Sequence, residues 1–176
     1  MHSSYSKILI YLGKISASML AAIGLAVSTP VHAITITANV DANISGAIAA
    51  SASTGLSFGD VSPGITPGAV TVDTSGFRTS VGGVILGKTR PASPAIFQVT
   101  GTPNSSYVIT APVSMSLSNG SGNYMTVDSF TSTPSGAGLL DAGGAQTLTV
   151  GGTLRMDANQ PGGIYSGVLA MTIIYN

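Results

Sequence analysis

The sequence predicts an all-β protein, a single β-sandwich preceded by an extended N-terminal segment. Three observations carry this reading. No stretch beyond Ala33 holds a helical period for a useful length. Glycine and proline, 23 and 9 of the 176 residues, punctuate the chain at short intervals, with Val, Ile, Thr and Ser between them. That is the spacing of short strands joined by turns. Both ends of the region after Ala33 also alternate apolar and polar residues, which puts every second side chain on one face of a strand.

The first 33 residues read as a secretory signal. Lys7 and Lys14 precede an apolar run, Ile15–Val27, and Ser28-Thr29-Pro30 leads into Val31-His32-Ala33, a small-residue cleavage site. The run is shorter than the ~20 residues a membrane-spanning helix needs. The expected organisation is a cleaved signal peptide over 1–33, an N-terminal extension over 34–45, and a β-sandwich domain over 46–176, with export to the periplasm and then to the cell surface or the medium.

The extension has its own pattern. From Ile34 the chain reads ITITANVDANISGAIAASAS, with Ile34, Ile36, Ala38, Val40, Ala42 and Ile44 on one face and mostly Thr, Asn and Asp on the other. Continued to Ala50, this outruns the ~5–6 residues of a common strand. Two readings stand. Residues 34–50 form a long first strand of their own sheet, or residues 34–44 are a donor strand that pairs with a neighbouring subunit while 46–60 supplies the first strand of the domain.

Further strands are expected at 55–60, 69–73, 79–86, 95–100, 106–111, 113–118, 124–131, 146–155 and 164–175. Asn119-Gly120 suits a type I′ hairpin turn, since both residues tolerate positive φ. Gly82-Gly83, Gly143-Gly144 and Gly151-Gly152 read as turns or bulges, and Pro103-Asn104 and Pro134-Ser135 as loops.

The last strand is the most informative. GIYSGVLAMTIIYN places Tyr165, Leu169, Met171, Ile173 and Tyr175 on one face, after Gly163. It resembles the C-terminal motif of pilin subunits of the bacterial chaperone–usher pathway, which has a glycine fourteenth from the end, alternating apolar residues and a penultimate tyrosine. The resemblance implies an Ig-like, pilin-like sandwich whose C-terminal strand lines a groove, first held by a periplasmic chaperone and delivered to an outer-membrane usher, then filled by another subunit. A second resemblance spans Leu56 to Tyr175. LSFGDVSPG (56–64), GAVTVDTSGFRT (68–79), FQVTGTPNSSYVIT (97–110), LTVGGTL (148–154) and NQPGGIYSG (159–167) are similar to a family of small secreted bacterial proteins that carry a domain of unknown function.

Composition narrows the chemistry. Cysteine, tryptophan and glutamate are absent, and both histidines, His2 and His32, lie in the expected signal. After Ala33 the charges are Lys88, Arg78, Arg90, Arg155 and six aspartates, a net of −2. Four scattered cations cannot form the basic stripe that nucleic acid requires. Serines have no histidine as base, and Lys88 sits in a Gly-Lys-Thr-Arg-Pro loop. Asp60, Asp73, Asp141 and Asp157 stand beside turn signals, where aspartates commonly bond backbone; Asp128 is the other candidate carboxylate. The D-x-N pairs at Asp41 and Asp157 lack the rest of a calcium loop, and zinc has no Cys or His to hold it. No catalytic residue, metal or cofactor is expected. Phe58-Gly59-Asp60-Val61 and Gly76-Phe77-Arg78 read as a turn capped by a packed aromatic and a structural Arg–Asp pair, with a contact patch at Phe77 and Arg78 as the rival reading.

The function expected is a structural subunit of a bacterial surface fibre, joined to copies of itself or related subunits by strand exchange. The alternative is a free-standing secreted or surface β-sandwich that binds carbohydrate or matrix.

Overall fold

A computed structural model of the chain describes residues 46–176. The expected signal peptide and the donor residues Ile34, Ile36, Ala38, Val40, Ala42 and Ile44 lie outside the described residues. The described chain is all-β, with twelve strands: β1 (Ala49–Thr54), β2 (Val61–Ser62), β3 (Gly68–Val72), β4 (Arg78–Gly82), β5 (Ile85–Leu86), β6 (Ala95–Thr100), β7 (Ser106–Thr110), β8 (Ser114–Ser118), β9 (Tyr124–Thr133), β10 (Ala137–Leu139), β11 (Ala145–Met156) and β12 (Thr172–Tyr175). Seven of them form one curled antiparallel sheet, β10–β7–β12 form a second, and β2 and β5 pair separately. This architecture fits a β-sandwich.

The organising element is β11, the longest strand at 12 residues. Its first half pairs with β6 and its second half with β3, while β9 pairs along Thr149–Arg155. An antiparallel strand has two edges. Because β9 shares residues of β11 with both β6 and β3, those two must follow one another on the opposite edge. The pairing with β9 shifts register between Gly151 and Thr153: Ser129 and Phe130 of β9 together face Gly152, so the β-bulge lies in β9, where Ser129 has φ 52°, and the Gly151-Gly152 pair sits opposite it inside an unbroken strand. A bulge bends its strand and increases local twist, and here it curls the sheet around two apolar clusters.

One cluster gathers Val70, Val72, Met125, Val127, Leu154 and Met156 with Phe58 and Val84. The other gathers Val99, Tyr107, Ile109, Leu140, Leu148 and Val150 with Ala95. Leu148, Val150, Leu154 and Met156 share one parity, so a single period of two supplies both cores from one strand. Leu56 and Phe130 touch both clusters and join them.

The structure revises several expectations. The first strand of the domain is β1, and residues 55–60 run as an irregular segment with one bridge, Ser57 to Ser93. Phe58 of that segment is buried, so it acts as core filler rather than as part of a ladder. The expected 79–86 strand breaks at Gly83-Val84 into β4 and β5, and each half pairs with a different strand. Asn119-Gly120 is no two-residue turn. The hairpin loop spans 119–123, positive φ falls on Gly120 and Gly122, and the Asn119 carboxamide accepts the N–H groups of Ser121 and Asn123. The short strand β10 has no counterpart in the sequence reading. Of the expected 164–175 strand, only Thr172–Tyr175 holds a continuous ladder.

Tyr107 is fully buried, and its hydroxyl donates to Oε1 of Gln146 at 2.7 Å. Burial pushes its phenol pKa up from 10.0. Tyr107→Phe is expected to cost about 0.5–1.5 kcal/mol, read as a lower urea midpoint at unchanged slope. The change is small because Oε1 of Gln146 keeps the Leu139 N–H.

Candidate functional site

An apolar cleft of about 630 Å³ opens beside the C-terminal segment. Its floor is the inner face of the large sheet, with Phe97, Met115, Leu117 and Met125 among its residues. One wall is β1 and the irregular segment through Asp60, and the other is the stretch from Gln160 to Leu169. Sandwich cores are normally covered by the opposing sheet. Here the small sheet covers the cluster around Tyr107, while the short β2–β5 pair and irregular chain reach across part of the other.

The C-terminal segment explains the gap. β12 pairs with β7 in the register Thr172–Thr110 to Tyr175–Tyr107. Further upstream, Ser166 and Ser118 exchange both backbone hydrogen bonds. Between these two anchors the facing chain is Ala111-Pro112-Val113, where proline has no N–H to give to a ladder. Gly167 lies against β8 so closely that a Cβ would meet Ser116 O at 2.5 Å and Leu117 Cδ2 at 2.9 Å.

The side-chain alternation read from the sequence is present in the structure. Tyr165 packs against one cluster, and Leu169, Met171, Ile173 and Tyr175 against the other. Gly163 opens the segment with φ 154°, beside the Asn119 side chain. The Tyr165 hydroxyl donates to Pro161 O and accepts from Nε2 of Gln160, which also donates to Tyr124 O. The Tyr175 hydroxyl accepts the Thr102 N–H at 2.6 Å, and its ring lies where a side chain on Gly101 would stand.

The opposite face of this segment is also apolar. Ile164, Val168 and Ile174 are exposed, as is Val113 nearby in the sequence register. Sequence reading concentrated on the inward face and passed over this one, although Ile164, Val168 and Ile174 were visible at even positions.

Charged groups play supporting parts. Asp73 Oδ1 accepts the Ser75 hydroxyl and the N–H groups of Ser75 and Phe77, and the Ser75 hydroxyl is the main cause that holds its carboxyl below 3.8. Asp141 caps its own turn in the same way through Gly143 and Ala145. Asp60 instead accepts the Arg90 N–H, and Asp128 pairs with Arg155 at 3.0 Å, which lowers the Asp128 pKa. Among the described residues, no three His, Cys, Asp or Glu side chains come together to hold a metal.

Of the turn expected from Phe58-Gly59-Asp60-Val61 and Gly76-Phe77-Arg78, the packed aromatic is Phe58 and not Phe77, and the Arg–Asp pair at Arg78 is corrected. Phe77 is 67 % exposed. Arg78 bonds the carbonyls of Phe58, Asp60 and Gly87. The guanidinium therefore substitutes for a ladder, holding the irregular 58–60 segment that walls the cleft.

Protonating Asp73 should loosen its turn. Its folded pKa lies below the unfolded value, so its contribution is complete above about pH 4 and is lost as pH falls through the folded pKa. Asp73→Asn is expected to flatten the stability change between pH 7 and pH 3, as read by urea unfolding at both pH values.

A family model described as "Domain of unknown function (DUF4402)" matches residues 48–175. The chain belongs to the DUF4402 family. No curated protein and no solved structure matches it. The match spans every motif stretch that carried the second sequence resemblance, while the likeness to pilin subunits finds no support in these comparisons. Within the DUF4402 domain, the LSFGDVSPG stretch forms much of one cleft wall and NQPGGIYSG much of the other.

Proposed function

We propose that this DUF4402 protein is a pilin-like structural subunit of a bacterial surface fibre, assembled by β-strand exchange after export. The observation that carries the reading is an apolar cleft bordered by a C-terminal segment whose far edge has no strand beside it among the described residues. A sandwich left open in this way favours strand addition, since unpaired edges and exposed apolar floors invite another chain. The alternating face Ile34–Ile44 is the matching occupant, contributed by a second copy or a related subunit. Before assembly, a periplasmic chaperone would cover the same cleft, and an outer-membrane usher would receive the complex. The domain's role in this reading is structural, with no catalysis.

The test is size-exclusion chromatography and electron microscopy of the mature protein, from Ile34, over a range of concentrations. Fibres or discrete oligomers that disappear in the Ile36→Asp variant support strand exchange. A stable monomer that is indifferent to Ile36→Asp overturns it and leaves a free-standing surface sandwich.

A further inference from the structure

A sandwich turns apolar side chains inward and polar ones to water, and the large sheet does so. β11 sends Leu148, Val150 and Leu154 into the core and Thr147, Thr149 and Arg155 to its outer face. The small sheet departs from this. Tyr107 and Tyr175 are cross-strand partners that face the core, so the next pair, Val108 and Ile174, faces outward. On its other edge Val108 pairs with Ala137 of β10, which completes an apolar row across all three strands. Leu139, two residues further along β10, shares that face and is exposed.

The row extends along the C-terminal segment. From Ile164 to Ile174 the even-numbered side chains are exposed, while Tyr165, Leu169, Met171 and Ile173 between them are half-buried. Ile164 and Val168 therefore stand on the side that Ile174 occupies, and Val168 is 87 % exposed. The three stretches that build this face, residues 105–118, 134–140 and 160–175, contain no Asp, Glu, Lys, Arg or His. Single exposed apolar residues are ordinary, but a contiguous, charge-free stripe of them marks a contact surface.

We propose that this outer face is a lateral docking surface, and that its occupant is the same face of a second copy related by a two-fold axis. Two observations select that occupant. The face carries no charged side chain, so identical copies meet there without like-charge repulsion. It also lacks what a lipid surface draws on. These stretches hold no Lys, Arg or Trp, and their tyrosines, Tyr107, Tyr165 and Tyr175, turn toward the core.

Size sets the strength of the contact. Eleven residues at ~3.3 Å each make the stripe roughly 36 Å long, and strands ~4.8 Å apart make it about 10–14 Å wide. A face-to-face pair covers roughly 800–1,000 Å² in total, the weak end of specific interfaces. One pair alone is transient. Copies already joined in a fibre hold many such contacts at once, and this turns a weak affinity into side-by-side bundling. The contact uses the face of the small sheet and leaves the cleft to strand exchange, so it stands whether or not exchange occurs.

Sedimentation equilibrium and electron microscopy of the mature protein, from micromolar to millimolar concentration, compare wild type with a Val168→Ser and Ile174→Ser double variant. Both side chains are exposed, so the urea midpoint should hold. Val113→Ser, at another exposed valine, replaces the double variant where it does not. If wild type polymerises, its fibres should lie side by side, and the double variant should give single fibres of the same length. If wild type does not polymerise, it should form a reversible dimer that the double variant weakens about tenfold or more, and strand exchange alone fails. Separate wild-type fibres, or a wild-type monomer at millimolar concentration, would overturn the docking surface. So would association that the double variant leaves unchanged, or an equal loss on Val81→Ser, an exposed valine of β4. Cosedimentation with phosphatidylcholine vesicles that the double variant abolishes would give the face to lipid and overturn the second-copy occupant.

Discussion

Met171→Asp or Tyr175→Asp is expected to abolish accumulation of the folded domain. Both side chains pack against the cluster around Tyr107 and Leu148. An aspartate there loses the apolar contact and places a carboxylate against Val99, Leu140 and Leu148, which offer no partner. Leaving a charge unpaired in such surroundings costs several kcal/mol, against a total of roughly 5–15 kcal/mol for a domain. Tyr175 carries a second role, since its hydroxyl accepts the Thr102 N–H and its ring fills the space beside Gly101. Tyr175→Phe keeps the ring and leaves that N–H without its acceptor, at about 1–3 kcal/mol. Ile174→Asp, on the outward face at 56 % exposure, should be mild for folding. Soluble yield and urea midpoints of the four variants check the order. Equal damage at Ile174 and Met171 would refute the inward–outward assignment.

Ile36→Asp and Val40→Asp are expected to block fibre formation while the sandwich itself still folds when a fused donor strand or a chaperone is supplied. In the strand-exchange reading both side chains enter the cleft over Phe97, Met115 and Leu117, apolar side chains that give a carboxylate neither opposite charge nor hydrogen bond. Thr35→Asp and Asn39→Asp put the same charge on the face turned to water and should be mild. The contrast isolates side-chain parity, because all four changes alter net charge equally. Size-exclusion profiles and micrographs of the four variants beside wild type provide the measurement. Loss of assembly in all four would point to a general charge effect rather than to an inserted strand.

Much of the fold could be read from residue pattern, and the failures have physical causes. β3, β6, β7, β8, β9 and β11 fall close to the expected spans because Val, Leu, Ile and Met recur there with a period of two, and one face of each is buried or, in β8, half-buried. β1 lies within the 46–60 span of the second reading, but AASAST alternates only small alanine and serine side chains, too weak a signal to fix where the strand begins and ends. It is a strand through its pairing with β6, with every residue exposed. Residues 55–60 look like a strand because Leu56 and Phe58 alternate, yet Arg78 ties their carbonyls from another part of the chain, a partnership no local window contains.

Local pattern alone determined the all-β class and the inward face of the C-terminal segment, since these depend on side-chain periodicity, whereas the turn or bulge expected at Gly151-Gly152 lies across the ladder at Ser129-Phe130 of β9. Tertiary structure alone decided that the C-terminal segment keeps a continuous ladder only over its last four strand residues and that, among the described residues, its remaining edge is unpaired and the core beside it is open. Strand pairing joins residues far apart in the chain, so which edges meet a partner is set by the packing of the whole sandwich. Pro112 interrupts a ladder only because the fold brings Ala111-Pro112-Val113 opposite the stretch between Ser166 and Thr172.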